Sequence, residues 1–147
     1  MLRVSQAEFV LWLHVIAASI WIGGQVTVAA VIPTLRQHPA LVRTVGQKYQ
    51  MVAWPAYLVL VVTGIVNVGN AGLQWSQLLE STVGRTLVVK LGFVGLSGMA
   101  AAVHAFLQAP RRSAQATSRP LASALLGSTS LLAAVLAALY GVAIANA

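Results

Sequence analysis

Four stretches of about 20 or more mostly apolar residues set what this chain can fold into, because about 20 such residues carry a helix across a bilayer. The first runs from Glu8 to Ile32 and the second from Gln50 to Gly69. The third runs from Gly84 to Leu107 and the fourth from Leu121 to Ala145. They account for most of the 147 residues, so a soluble domain has little room. The spacing predicts an all-α, integral membrane four-helix bundle with short connections, a single domain over residues 1–147. Pro33 is expected to close the first helix and Pro55 to sit in the opening turn of the second, where a missing N–H is tolerated. Pro110 and Pro120 bracket the third loop. The leading segment MLRVSQAE carries one Arg and one Glu, and the apolar run behind it is too long for a signal peptide. It reads as a mature helix.

Charge is scarce and one-sided. Only 7% of residues are charged, against about 25% in an average soluble domain. The acids are Glu8 and Glu80, against nine Lys and Arg. The net charge of +7 fits basic loops on one membrane face rather than nucleic acid. Arg36, Arg43 and Lys48 fall in the first loop and Arg111, Arg112 and Arg119 in the third. Glu80 and Arg85 mark the second. The positive-inside rule then places loops one and three in the cytoplasm and both termini outside, in a multi-pass protein of a bacterial inner membrane. The chain has no cysteine, which excludes disulfides, thiolate metal sites and iron–sulfur clusters.

Polar residues inside the runs are the candidates for function, since ionisable groups at membrane depth are costly and usually have a partner or a role. His14 and Lys90 each lie four or five residues inside an outer helix end. Thr63, Asn67 and Tyr140 fall at a similar depth, so one polar cluster drawn from all four helices is expected. His104 lies fourteen residues beyond Lys90, roughly 21 Å along the helix. On these spans His14 and His104 do not share one metal ion or one haem. His14, Ala18, Trp21 and Gln25 form one stripe on the first helix. Lys90, Ser97, Ala101 and His104 form one on the third. Ser123, Gly127, Ser130, Ala134, Ala137 and Gly141 make a small-residue seam on the fourth, and Gly92, Gly95 and Gly98 recur at three-residue spacing on the third. Such seams bring helix backbones together in lipid, or leave a slot for a planar cofactor.

Each polar residue has two readings. His14 is a hydrogen-bonded interior histidine or an axial haem ligand. Lys90 snorkels to the headgroups, or it ligates iron or pairs with a haem propionate. His104 reads as interfacial and His38 as solvated. Copper is the other metal to weigh. Cu(I) prefers sulfur, yet Met1, Met51 and Met99 form no close pair within a run, so a copper site would rest on histidine. No acid lies inside a run to orient a histidine, which argues against a catalytic triad. Trp12, Trp54 and Trp75 read as interfacial belt residues. Trp21 lies deeper, on the His14 side.

The order LHVIAASIWIGG, VIPTLR, TGIVN and STVGRTLVVKLGF resembles the transmembrane domain of the copper resistance protein D (CopD) family. That domain has a His, a Trp-x-Gly-Gly step and a later Gly-Arg-x-Leu-x-x-Lys stretch. These fall here on His14, Trp21, Gly23 and Gly24, then on Gly84, Arg85, Leu87 and Lys90. The chain is also similar to HemJ-type protoporphyrinogen oxidases, through the first-helix His, the Trp54–Pro55 pair, the third-helix Lys and His104. The segment GQVTVAAVIPTLRQHP departs from the aromatic and basic segment of that type. The resemblance implies a four-helix membrane domain that binds haem b or takes part in copper handling. His14, Trp21, Asn67, Arg85 and Lys90 are then the cofactor-binding candidates, and His14 and His104 the metal-binding ones. Three functions follow as expectations. The first is a haem-b redox protein, and with it a haem-dependent, protoporphyrinogen oxidase-like oxidoreductase. The second is a copper transport or tolerance protein. The third is an accessory subunit of a larger membrane complex or a homo-oligomer.

Overall fold

The computed structural model describes residues 3–72, 78–108 and 120–145. Trp75, Pro110, Arg111, Arg112 and Arg119, expected in belt or loop roles, lie outside the described residues. The described residues form four helices: α1 (Gln6–Leu35), α2 (Pro39–Asn70), α3 (Thr82–Gln108) and α4 (Pro120–Ala145). No strand occurs among the described residues. All four helices are long and apolar enough to cross a membrane. The chain divides into two compact units, Met1–Glu80 and Ser81–Ala147. Each is a helical hairpin, α1 on α2 in the first and α3 on α4 in the second.

Local chemistry sets the helix starts. Ser5 caps α1: its hydroxyl accepts from the Glu8 N–H, and the Glu8 carboxylate accepts from the Ser5 N–H at 2.7 Å. This reciprocal box satisfies two donors that a helix N-terminus leaves orphaned. Ser81 caps α3, accepting from the Gly84 N–H at 3.0 Å. Pro39 opens α2, where the fixed φ of proline suits the first helical position.

Two expected boundaries are corrected. Pro33 does not close α1 but lies inside its last turn, and the helix runs on to Leu35. The second helix begins at Pro39, not Gln50. The segment holding Arg43 and Lys48 is therefore helix, and only Arg36, Gln37 and His38 connect α1 to α2. Polarity marks where a helix leaves hydrocarbon, not where its hydrogen bonds stop. Pro55 is consequently an interior residue of α2 rather than part of its first turn. It withholds the N–H that the Met51 carbonyl would otherwise accept, a defect that membrane helices tolerate.

The burial pattern is inverted relative to a water-soluble protein. Ala17, Ala53, Ala56, Ala100, Ala133, Ala134 and Ala137 are buried, while Leu58, Met99, Phe106, Leu132 and Leu139 are exposed. Lipid tails solvate large apolar side chains, so helix contacts in a membrane form on small residues that let the backbones approach.

Candidate functional site

In the first hairpin, α1 presents His14 to Thr63 of α2. The His14 Nδ1 lies 2.9 Å from the Thr63 Oγ1. The Thr63 hydroxyl proton is committed at 2.6 Å to the Val59 carbonyl, one turn back on its own helix. Its oxygen therefore accepts, and His14 Nδ1–H donates. Thr63 is buried, at 6% exposure, so this bond is shielded from competing water. Gly64 makes room for the ring: a Cβ there would lie 3.3 Å from His14 Cε1. The common depth expected of His14 and Thr63 thus resolves into direct contact. Asn67, one turn further along α2, is half-buried.

Toward the other end of the same seam the side chains turn aromatic. Trp21 is buried against Tyr57, with ring centroids 4.6 Å apart, and against Trp54 at 5.8 Å. Trp54 is therefore part of an inter-helix cluster, not a belt residue. Its assignment to the interface followed from placing the start of α2 eleven residues too late. The Trp21 carbonyl accepts from Gln25 Nε2 at 3.2 Å and from the Tyr49 hydroxyl at 3.4 Å. The two glycines of the Trp-x-Gly-Gly step have different roles. A Cβ at Gly24 would come within 2.5 Å of the Tyr49 ring, whereas one at Gly23 meets nothing within 4 Å. Tyr49 and Tyr57 carry no sequence signal on their own. The glycine pair is the signal, since such a pair asks what presses on the helix there.

In the second hairpin, Lys90 is half-buried and its amine lies against α4 at Gly141. A Cβ at Gly141 would come within 2.9 Å of Lys90 Nζ. Beside it, Phe93 stacks on Tyr140 with centroids 5.7 Å apart. Arg85 is exposed in the first turn of α3. Midway along the pair, Ser97 and Ser130 clasp each other. The Ser97 hydroxyl donates to the Ser130 carbonyl at 2.8 Å and the Ser130 hydroxyl to the Ser97 carbonyl at 3.0 Å. Both residues are 1% exposed. The α4 seam is therefore filled by α3 along its middle. Its small residues serve helix packing, and it leaves no slot there for a planar group. Of the α3 glycine triad only Gly98 is buried, and a Cβ at Gly92 or Gly95 would meet nothing within 4 Å.

His104 occupies the far end of this hairpin. Its Nδ1 lies 3.0 Å from the Ser123 carbonyl, which can only accept, so Nδ1 carries the proton. Gln108 Nε2 lies 3.4 Å from His104 Nε2 and donates to the Ser123 hydroxyl at 2.9 Å. Both ring nitrogens are thus engaged in a packing network. Among the described residues no three His, Cys, Asp or Glu side chains gather as a metal-binding group.

A model of the family described as copper resistance protein D matches residues 43–145. That segment begins within α2 and includes Thr63, Asn67, Arg85, Lys90 and His104, but it stops short of His14 and Trp21 on α1. No curated protein and no solved structure matches the chain.

Proposed function

The chain belongs to the copper resistance protein D family, and from that premise we propose that it is a membrane-embedded copper-handling protein in which His14 meets the metal. The observation that carries this reading is the hydrogen bond from His14 to Thr63. It links the α1 histidine to a buried residue of the segment that the family model matches. With the proton held on Nδ1, the ring's lone pair belongs to Nε2, and imidazole nitrogen is a ligand suited to copper. Copper is cargo here rather than a resident cofactor. A single imidazole, with no gathered cluster among the described residues, suits a passing contact better than storage. Thr63 orients the ring, and Gly64 keeps its place open. Trp21, Trp54 and Tyr57 brace the seam, so that α1 presents His14 at a fixed register. In the second hairpin, Lys90 as an ammonium and Arg85 as a guanidinium have no lone pair to offer a metal. Haem b, the other cofactor that the sequence suggests, is favoured by no observation in either hairpin.

The test is copper content and copper tolerance of cells expressing the chain, beside His14→Ala at matched membrane levels and with zinc as the control metal. Expression should change cellular copper and leave zinc alone, and His14→Ala should abolish most of the change. Equal copper content with and without the chain would sink the reading.

A further inference from the structure

We propose that the turn of the first hairpin is a binding site for anionic phospholipid headgroups, built from Arg36, Arg43 and Lys48. All three side chains are exposed. They are the only Lys and Arg between Phe9 and Leu79, a stretch with no acid at all. The charge at this end of the hairpin is therefore uncompensated from within.

Length puts these charges at the phosphate layer. The 30 residues of α1 and 32 of α2 span about 45 and 48 Å. A bilayer's hydrocarbon core is about 30 Å thick, and about 40–45 Å with both headgroup layers. The hairpin therefore reaches from one headgroup layer to the other, with Glu8 near one end and Arg36 at the turn. Arg43 lies four residues into α2 from Pro39, about 6 Å, and Lys48 nine residues, about 14 Å.

Helix geometry closes the remaining gap. Every Cα–Cβ bond in an α-helix tilts toward its N-terminus, and the N-terminus of α2 is at the turn. The stems of Arg43 and Lys48 therefore lean along the helix axis toward the turn, and a lysine stem extends along apolar surface to place its charge at the interface. Three cations entering the helix pair at different depths thus converge on one layer. A phosphodiester there supplies the missing negative charge, and arginine forks suit its oxygens.

The test uses the full chain in mild detergent, with phosphatidylglycerol, phosphatidylcholine or inorganic phosphate added separately. Native mass spectrometry reads bound lipid, and Tm reads stabilisation. Phosphatidylglycerol should be retained at least tenfold better than phosphatidylcholine, at about fivefold per basic residue near a charged surface. R36Q/R43Q/K48Q should reduce that preference to near unity, R36K/R43K should keep it, and Arg3→Gln at the other end should leave it unchanged. Inorganic phosphate should not raise Tm. The proposal is overturned by equal retention of the two lipids, by an unchanged preference in the triple variant, or by inorganic phosphate stabilising as well as the lipid does. Displacement of phosphatidylglycerol by equimolar poly-glutamate would also overturn it, in favour of an acidic protein partner.

Discussion

His14 and Thr63 stand 49 positions apart in the chain, and their side chains meet at 2.9 Å. Because Thr63 spends its own proton on the Val59 carbonyl, the contact runs in one direction, from the imidazole to the hydroxyl oxygen. Thr63 is therefore an orienting residue, and its β-branched shape is secondary to its oxygen.

Thr63→Val keeps the shape and removes the acceptor. The His14 N–H then loses this acceptor, and the loss in stability should be about 0.6–1.7 kcal/mol, the range of inter-helix hydrogen bonds in membranes. Thr63→Ser should recover most of it. Thermal unfolding in mild detergent, followed by circular dichroism, checks this. Equal stability of the Val and Ser variants would remove the hydrogen bond from the account.

The glycines after Trp21 allow a sharper comparison. Gly24→Ala would drive a methyl group to 2.5 Å from the Tyr49 ring, whose hydroxyl is tied to the Trp21 carbonyl. Overpacking of this kind costs about 1–3 kcal/mol. Gly23→Ala meets nothing, and an alanine in an open helix position should be neutral or stabilise by about 0.5–1 kcal/mol. The two variants differ by one position, and only Gly24→Ala should lower Tm. A similar loss in both would mean that α1 and α2 do not pack in this register.

Much of this was legible in the sequence, and the residues that escaped share a cause. Hydropathy gave the four helices, because a bilayer demands long apolar runs. The α1 stripe of His14, Ala18, Trp21 and Gln25 was legible from 3.6-residue periodicity, and its His14 and Trp21 do face α2. The Ser5–Glu8 box was present as Ser-x-x-Glu but lay ahead of the apolar run, where hydropathy is blind. The start of α2 was misplaced because its first turns are polar, and the interfacial role given to Trp54 followed from that. The Tyr49 contact and the Ser97–Ser130 clasp needed the register of one helix against another. Periodicity selects a face of each helix but does not fix its slide along the partner.

That clasp yields a double-mutant test. Ser97→Ala and Ser130→Ala each remove one donor, while the helix carbonyls keep their backbone partners. Each should cost about 0.6–1.5 kcal/mol. The two hydroxyls also lie 3.3 Å apart, so the double variant should lose less than the sum. Additive losses would show that the two bonds act independently.

Gly141 offers a way to move Lys90 without removing it. A methyl group there would come within 2.9 Å of Nζ and 3.4 Å of Cε. Those atoms are the far end of a flexible chain, so the amine can swing aside while both helices stay in place. Gly141→Ala should therefore change stability by less than about 1 kcal/mol. It should also raise the rate at which an amine-reactive ester acylates Lys90. Lys48 is the only other lysine in the chain; it is exposed and serves as the internal reference in the same mass spectrum. The expected outcome is a higher Lys90-to-Lys48 acylation ratio at nearly constant Tm. An unchanged ratio would mean that the Lys90 amine does not rest against α4 at this glycine.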